Sequence, residues 1–259
     1  KGALWVHAVS VGEVQSAYSF IKAVKRMNPE VPVLLSTITQ TGKTMACQLL
    51  GKQVTHIYYP WDAPSVLKRA LETLKPCAYV TMETEIWPEM LRQLELHNIP
   101  SFLVNGRLSA SSCKKYKKLS FFWSKVIQRY KIIMTRTEDD ARHFIDLGAS
   151  AESVKVTGDC KIDALVERRN ATDLTEWKKT LAGDGDIILA GSTHEGEEEA
   201  IFECYNSLLQ KYPDLRLILV PRHPERAKSL CDAAREHELS RCGLLSENKR
   251  DWQVLIIDR

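Results

Sequence analysis

Short apolar runs alternate with longer amphipathic stretches, and this rhythm constrains the fold of the chain more than any other feature. Candidate strands lie at 4–9, 33–36, 54–58, 78–82, 101–104, 132–135 and 154–156. Candidate helices lie between them at 14–27, 43–50, 64–74, 89–97 and 138–147. A helix with one apolar face must cover something, and strands spaced by such helices are parallel. The alternation therefore predicts βαβ units and an α/β fold, a parallel sheet with helices on both faces. Asp62 is placed to cap the helix that follows it, and Gly148 to stop the helix ending at Leu147.

The stretch 166–185 breaks the rhythm. It is polar, contains Arg168-Arg169-Asn170 and ends in Gly183-Asp184-Gly185. It reads as an interdomain connection with a short helix at 174–181. A second series follows, with a strand at 187–190 and a helix near 195–210, then a strand at 215–220 and a helix near 226–238, and a last strand at 254–257. The expected organisation is an N-terminal lobe at 1–165, a connection at 166–185 and a C-terminal lobe at 186–259. The chain opens on a strand and stops just after another, as expected of a fragment.

Composition narrows the function classes. Of 259 residues 27% are charged and 44% apolar, and the net charge is +3. Basic residues are concentrated only at Lys114-Lys115-Tyr116-Lys117-Lys118, so nucleic-acid binding is not expected. That run leads into Phe121-Phe122-Trp123, and basic residues beside aromatics suit either an anionic membrane surface or an ordinary helix with one buried side. Seven scattered cysteines form no Cys-x-x-Cys, which argues against structural zinc and a disulfide framework and fits a reducing setting. His194 and His223 lack a third ligand at fitting spacing, so no metal is expected.

The residues with chemical potential stand just after strands. Ligands of open parallel sheets bind at that edge. Gly12-Glu13 opens a helix directly after the first strand. Glu13 reads either as a general base towards a hydroxyl or as a complement to the helix dipole. Glu83 and Glu85 follow the fourth strand, with the alternative of first-turn acids before Trp87-Pro88. The turn Thr39-Gln40-Thr41-Gly42-Lys43-Thr44 lacks the glycine that a phosphate loop needs at position 37, where Thr37 stands. Thr39 is left as a small contact for an anion or sugar, or as a plain helix cap. Arg107, in Asn105-Gly106-Arg107-Leu108-Ser109, reads as an anion fork or an exposed turn residue. Gly191-Ser192-Thr193 and Arg222-His223 follow two strands of the second series and together suggest a nucleotide-phosphate site. The acidic run Glu195, Glu197, Glu198 and Glu199 reads as first-turn dipole complement.

Ser10-Val11-Gly12-Glu13, Glu83-Thr84-Glu85-Ile86-Trp87-Pro88, Asn105-Gly106-Arg107-Leu108-Ser109, Ala190-Gly191-Ser192-Thr193-His194 and Pro221-Arg222-His223-Pro224-Glu225-Arg226 occur in that order. The set resembles the 3-deoxy-D-manno-oct-2-ulosonic acid (Kdo) transferase family of lipopolysaccharide biosynthesis. The resemblance implies the GT-B arrangement, two Rossmann-like lobes facing across a cleft, with acceptor on the N-terminal lobe and donor on the C-terminal one. It implies inverting transfer of Kdo from CMP-Kdo to a lipid A precursor at the cytoplasmic face of the bacterial inner membrane, without a cofactor. Under it Glu13 is the base, Glu83 a second essential carboxylate and Glu85 a weaker candidate. Gly191, Ser192, Thr193, Arg222 and His223 meet CMP. Gly12, Thr39, Arg107 and Lys161 are acceptor or anion contacts. The family also has an N-terminal hydrophobic anchor and, past the position of Arg259, a Gly-Gly-His-Asn segment completing the donor site. Another GT-B nucleotide-sugar transferase or epimerase, and a non-catalytic nucleotide-binding module, are the competing readings.

Overall fold

The computed structural model describes residues 2–171, 173, 175, 181, 185–247 and 251–258. The chain forms two compact units, Lys1–Ala171 and Thr172–Arg259.

The first unit is a seven-stranded parallel sheet: β1 (Leu4–His7), β2 (Val33–Thr37), β3 (Thr55–Tyr58), β4 (Ala78–Met82), β5 (Ser101–Gly106), β6 (Ile132–Thr135) and β7 (Val154–Val156). Their order is β3-β2-β1-β4-β5-β6-β7. The chain starts mid-sheet, runs outward to β3, then returns to the other side of β1 and runs outward again. Where the direction reverses, the loops after β1 and β4 leave towards opposite faces and open a crevice. In register, His7 pairs with Thr81, so the two strands end side by side.

Period-two alternation explains the layers. Leu4 and Val6 face one side with Val33, Leu35, Val80 and Met82, and Trp5 faces the other with Tyr79, Leu103 and Ile133. The first side is covered by α1 (Val11–Met27), through Val14, Ala17 and Ile21, and by α2 (Gln40–Leu50). The second is covered by α3 (Pro64–Leu74), α4 (Pro88–Leu96), α6 (Ser120–Ile127) and α7 (Glu138–Asp146). Each fully buried large apolar side chain contributes roughly 1.5–3 kcal/mol. A short α5 (Ala110–Lys117) precedes α6, and α8 (Cys160–Ala171) packs on α1.

Gly148 ends α7 as the sequence indicates, at φ +105. A Cβ there would stand 2.6 Å from Ser124 Cβ, besides the backbone strain. Gly148→Ala is expected to cost about 2 kcal/mol or more of stability. A denaturation midpoint equal to the parent's would contradict this.

Several expectations need correction. Asp62 does not cap α3, whose N-cap is Ala63. Its carboxylate accepts from the backbone N–H groups of Met90 and Glu89 at 2.8 and 3.2 Å, so it caps α4 instead. Both helices open on a proline and neither N-cap residue bonds through its side chain, and the folded chain brings Asp62 alongside the free N–H groups of α4. Residues 166–171, expected to begin the connection, are the last turns of α8. The short helix expected at 174–181 lies largely outside the described residues. The two helices α5 and α6 bury only Cys113, Val126 and Ile127. Such thin apolar faces leave little periodicity to read.

The second unit is a four-stranded parallel sheet of order β10-β11-β9-β8. Its strands are β8 (Ile187–Thr193), β9 (Arg216–Pro221), β10 (Cys242–Leu244) and β11 (Val254–Ile256). Two helices, α9 (Glu197–Leu209) and α10 (Ala227–Glu236), bury Phe202, Tyr205, Leu230 and Ala234 against Leu217, Leu219, Val254 and Ile256. The three-residue β10 is not evident in the sequence, since only its pairing with β11 defines it. The acidic run at the start of α9 is not uniformly solvated. Glu198 is 2% exposed and bound by both terminal nitrogens of Arg226, at 3.0 and 3.3 Å.

Candidate active site

The switch point of the first unit gathers the carboxylates. Ser10 is the N-cap of α1 and Glu13 its third residue, spacing at which a carboxylate reaches back over the helix start. Glu13 Oε2 accepts from Val9 N–H at 2.6 Å, and Oε1 accepts from the Ser10 hydroxyl at 3.2 Å. Burial raises its pKa to about 7, opposed by the Val9 bond and reinforced by the charges of Glu85 and Glu83. The helix start fixes the carboxyl, and burial among like charges brings its pKa near neutrality.

Across the crevice, the loop after β4 carries the other two. Glu83 is left-handed at φ +56, a conformation costly for a residue with a Cβ. Its Oε1 accepts from Lys161 Nζ at 2.7 Å and from the Ser16 hydroxyl at 3.1 Å. Glu85 accepts the indole N–H of Trp87 at 3.1 Å. Burial pushes the Glu85 carboxyl up, Trp87 opposes this and the Glu83 charge adds to it.

Below the loop, His7 is fully buried, stacked on Tyr59 at 3.9 Å between centroids and edge-on to Trp87 at 6.1 Å. Burial lowers its pKa to about 3, so it is neutral. With Trp5, whose indole N–H donates to Ser36 Oγ at 2.8 Å, it forms a rigid floor.

The remaining candidates fall as follows. Gly12 lies beneath the Lys161 ammonium, whose nitrogen is 3.8 Å from where a Cβ would stand. The Thr39 hydroxyl accepts from Gly42 N–H at 3.0 Å and donates to Val9 O at 3.3 Å, so it caps α2 and props the peptide that holds Glu13. Arg107 is exposed, and its backbone N–H points to Glu83 O at 3.4 Å. The structure thus brings together Gly12, Glu13, Glu83, Glu85 and Lys161.

The sequence reading missed Ser16 and His7, and gave Asn105 no role of its own. Ser16 stands one turn beyond Glu13, and that spacing on a helix opening at a sheet edge was the available signal.

In the second unit, Ser192 is left-handed at φ +63 at the end of β8, and space is open beside Gly191. Arg222 N–H donates to Thr193 O at 2.9 Å, so the two loops meet at one edge of the sheet. The Arg222 and His223 side chains are exposed, with His223 Nδ1 3.4 Å from Glu225 Oε1. Thr193 is 5% exposed, and its hydroxyl is buried without a partner among the described residues.

Comparison with known proteins places the chain in a family and a fold. A 3-deoxy-D-manno-octulosonic acid transferase of Haemophilus influenzae is 34% identical over 91% of this chain and 55% of its own length. A bifunctional glycosyltransferase/methyltransferase of Fusobacterium nucleatum is 31% identical over 92% of this chain and 37% of its own. The chain spans about half the length of the curated relatives it matches. Among solved structures, a UDP-GlcNAc 2-epimerase from Neisseria meningitidis superposes with TM-score 0.68 at 17% identity, covering 99% of this chain and 72% of that one. The Acinetobacter baumannii MurG superposes with TM-score 0.54 at 11% identity, covering 99% and 68%. At these identities the likeness concerns the fold, the two-lobed GT-B class. The model of the 3-deoxy-D-manno-octulosonic-acid transferase (kdotransferase) family matches residues 1–164, and the chain belongs to that family.

Proposed function

We propose that this protein transfers Kdo from CMP-Kdo to a lipid A precursor, lipid IVA, in lipopolysaccharide biosynthesis, with Glu13 as the general base of an inverting glycosyl transfer. The observation that carries the reading is the Glu13 carboxyl at the switch point, half-buried, held by Val9 and Ser10, and raised to about 7. A base with that pKa is largely ionised at slightly alkaline pH yet basic enough to take a hydroxyl proton as the oxygen attacks.

The acceptor oxygen bonds to the anomeric carbon of Kdo, its proton goes to Glu13, and the bond to CMP breaks. The transition state has oxocarbenium character. Negative charge develops on the leaving phosphate. In the second unit the loop Gly191-Ser192-Thr193 and Arg222 offer backbone N–H groups and a guanidinium for it. Lys161, beside Gly12, suits an anionic group of acceptor or donor.

The acceptor is a lipid, and the surface of α5 and α6 suits a membrane at the cytoplasmic face of the bacterial inner membrane. Leu119 is 53% and Phe121 72% exposed beside Lys114, Lys115 and Lys118. Apolar side chains among lysines bind anionic bilayers. Among the described residues no helix is long and apolar enough to cross a membrane.

The fold is shared with UDP-GlcNAc 2-epimerases, so a UDP-sugar is the donor of the second reading. The purified natural full-length protein, given labelled Kdo as CMP-Kdo and lipid IVA in anionic vesicles, is expected to label the lipid. An unlabelled lipid together with consumption of a UDP-sugar would sink the proposal.

A further inference from the structure

We propose that Asn105 is a positioning residue that holds Glu83 and Lys161 against the base, through one side-chain amide that ties three elements together. Asn105 sits at the end of β5, fully buried and left-handed at φ +58. There β5 shifts register against β6 between Leu103 and Gly106, and such an irregularity re-aims a side chain. Asparagine tolerates this conformation, and a turn alone would be served as well by glycine. The side chain, however, is spent elsewhere. Its Nδ2 donates to Ser16 Oγ on α1 at 3.3 Å, and its Oδ1 accepts from Cys160 N–H at the start of α8 at 3.0 Å.

Both bonds converge on Glu83. Because the amide N–H occupies an oxygen lone pair of Ser16, the Ser16 proton is left to point at an acceptor, and Glu83 Oε1 is the nearer one at 3.1 Å, against 3.3 Å for Gly12 O. The residue after Cys160 is Lys161, whose ammonium reaches the same Oε1 at 2.7 Å. The two groups that touch this oxygen come from two helices, and both hang on one amide. The charged groups felt by Glu13 from the packed elements are Glu83 and Glu85, on the loop after β4, with Lys161 of α8 neutralising Glu83. If α8 loosens, Glu83 is no longer neutralised, and proton loss from Glu13 moves to higher pH.

The kinetic arm of the test rests on the proposed Kdo transfer, and a second arm does not. In the natural full-length protein, Asn105→Gly keeps the turn and removes both bonds. Acetylation of Lys161 by an amine-reactive reagent, followed by mass spectrometry against exposed Lys52 as control, is expected to speed up several-fold. With CMP-Kdo and lipid IVA, Asn105→Gly is expected to lower kcat about 10-fold with little change in KM, the size of coupling within one network, and to shift the acid limb of kcat/KM upward. Should Asn105→Gly fail to fold, Ser16→Ala leaves the turn intact and is expected to shift the same limb. Unchanged Lys161 reactivity and an unchanged pH profile, with only a lower melting temperature, would overturn the proposal. If the parent transfers no Kdo, the proposed function fails, and the acetylation rates alone decide the role of Asn105.

Discussion

Glutamine in place of Glu13 is expected to lower kcat for Kdo transfer by about 10²- to 10⁴-fold, the usual contribution of a positioned general base. The amide keeps an acceptor for Val9 N–H, which now holds Oε2 at 2.6 Å, so α1 should start as before. Folding should respond in the opposite sense. The folded-state pKa of Glu13 stands at about 7 against an ordinary 4.5, so the fold prefers the neutral carboxyl. The stability this preference confers is complete below about pH 4.5 and is lost as pH rises through about 7. At pH 8 the Glu13→Gln protein should therefore melt higher than the parent, and at pH 4 the two should nearly coincide. Thermal unfolding at both pH values, beside the transfer rate, checks both halves. A variant that loses activity and melts lower at pH 8 would point to a structural carboxylate.

The second large effect lies in the other unit. Arg226→Met should destabilise it by about 3–5 kcal/mol, because Glu198 would remain as a buried charge without its counter-ion. Pairing that change with Glu198→Gln should recover most of the loss, since the penalty comes from the orphaned charge rather than from the missing bond. Urea unfolding followed by Trp252, which is buried in this unit, reads the effect. A shift below 1 kcal/mol in the single variant would mean that Glu198 finds another partner or takes up a proton at little cost.

The contrast between Glu198 and Glu13 shows what the sequence made legible. The order of strands and helices follows from apolar period, because the central strands β1, β2 and β4 are buried on both faces and read as nearly continuous apolar runs. The carboxylates could be placed at the sheet edge because Glu13, Glu83 and Glu85 each stand within a few residues of a strand end, and parallel topology sends those ends to one side. What could not be read was the partner of each charged group. Glu197, Glu198 and Glu199 share one local pattern, yet only Glu198 turns inward, and its partner Arg226 stands 28 residues away. Asp62 was read as the cap of the nearer helix and serves α4 instead, through bonds spanning 27 and 28 residues. The Asn105 bond to Ser16 spans 89 residues. Such long-range polar contacts leave no periodic trace in sequence, since they depend on which loop the finished sheet brings alongside. The motif Asn105-Gly106-Arg107 drew attention to its arginine, and the structure shifts the interest to the asparagine. The short β10 escaped for a related reason, a three-residue strand being defined by its neighbour more than by its own residues.

Glu13 is proposed to act as a base in the crevice between β1 and β4. The most direct test is the pH dependence of kcat/KM for Kdo transfer from CMP-Kdo to lipid IVA by the natural full-length protein. The predicted profile rises with pH and levels off with an apparent pKa near 7, a value belonging to the cluster of Glu13, Glu83 and Glu85 rather than to one group alone. The limb should vanish in the residual activity of Glu13→Gln. A rate that is flat from pH 5 to 8 in the parent, or a limb that survives in the variant unchanged, would contradict the assignment of Glu13.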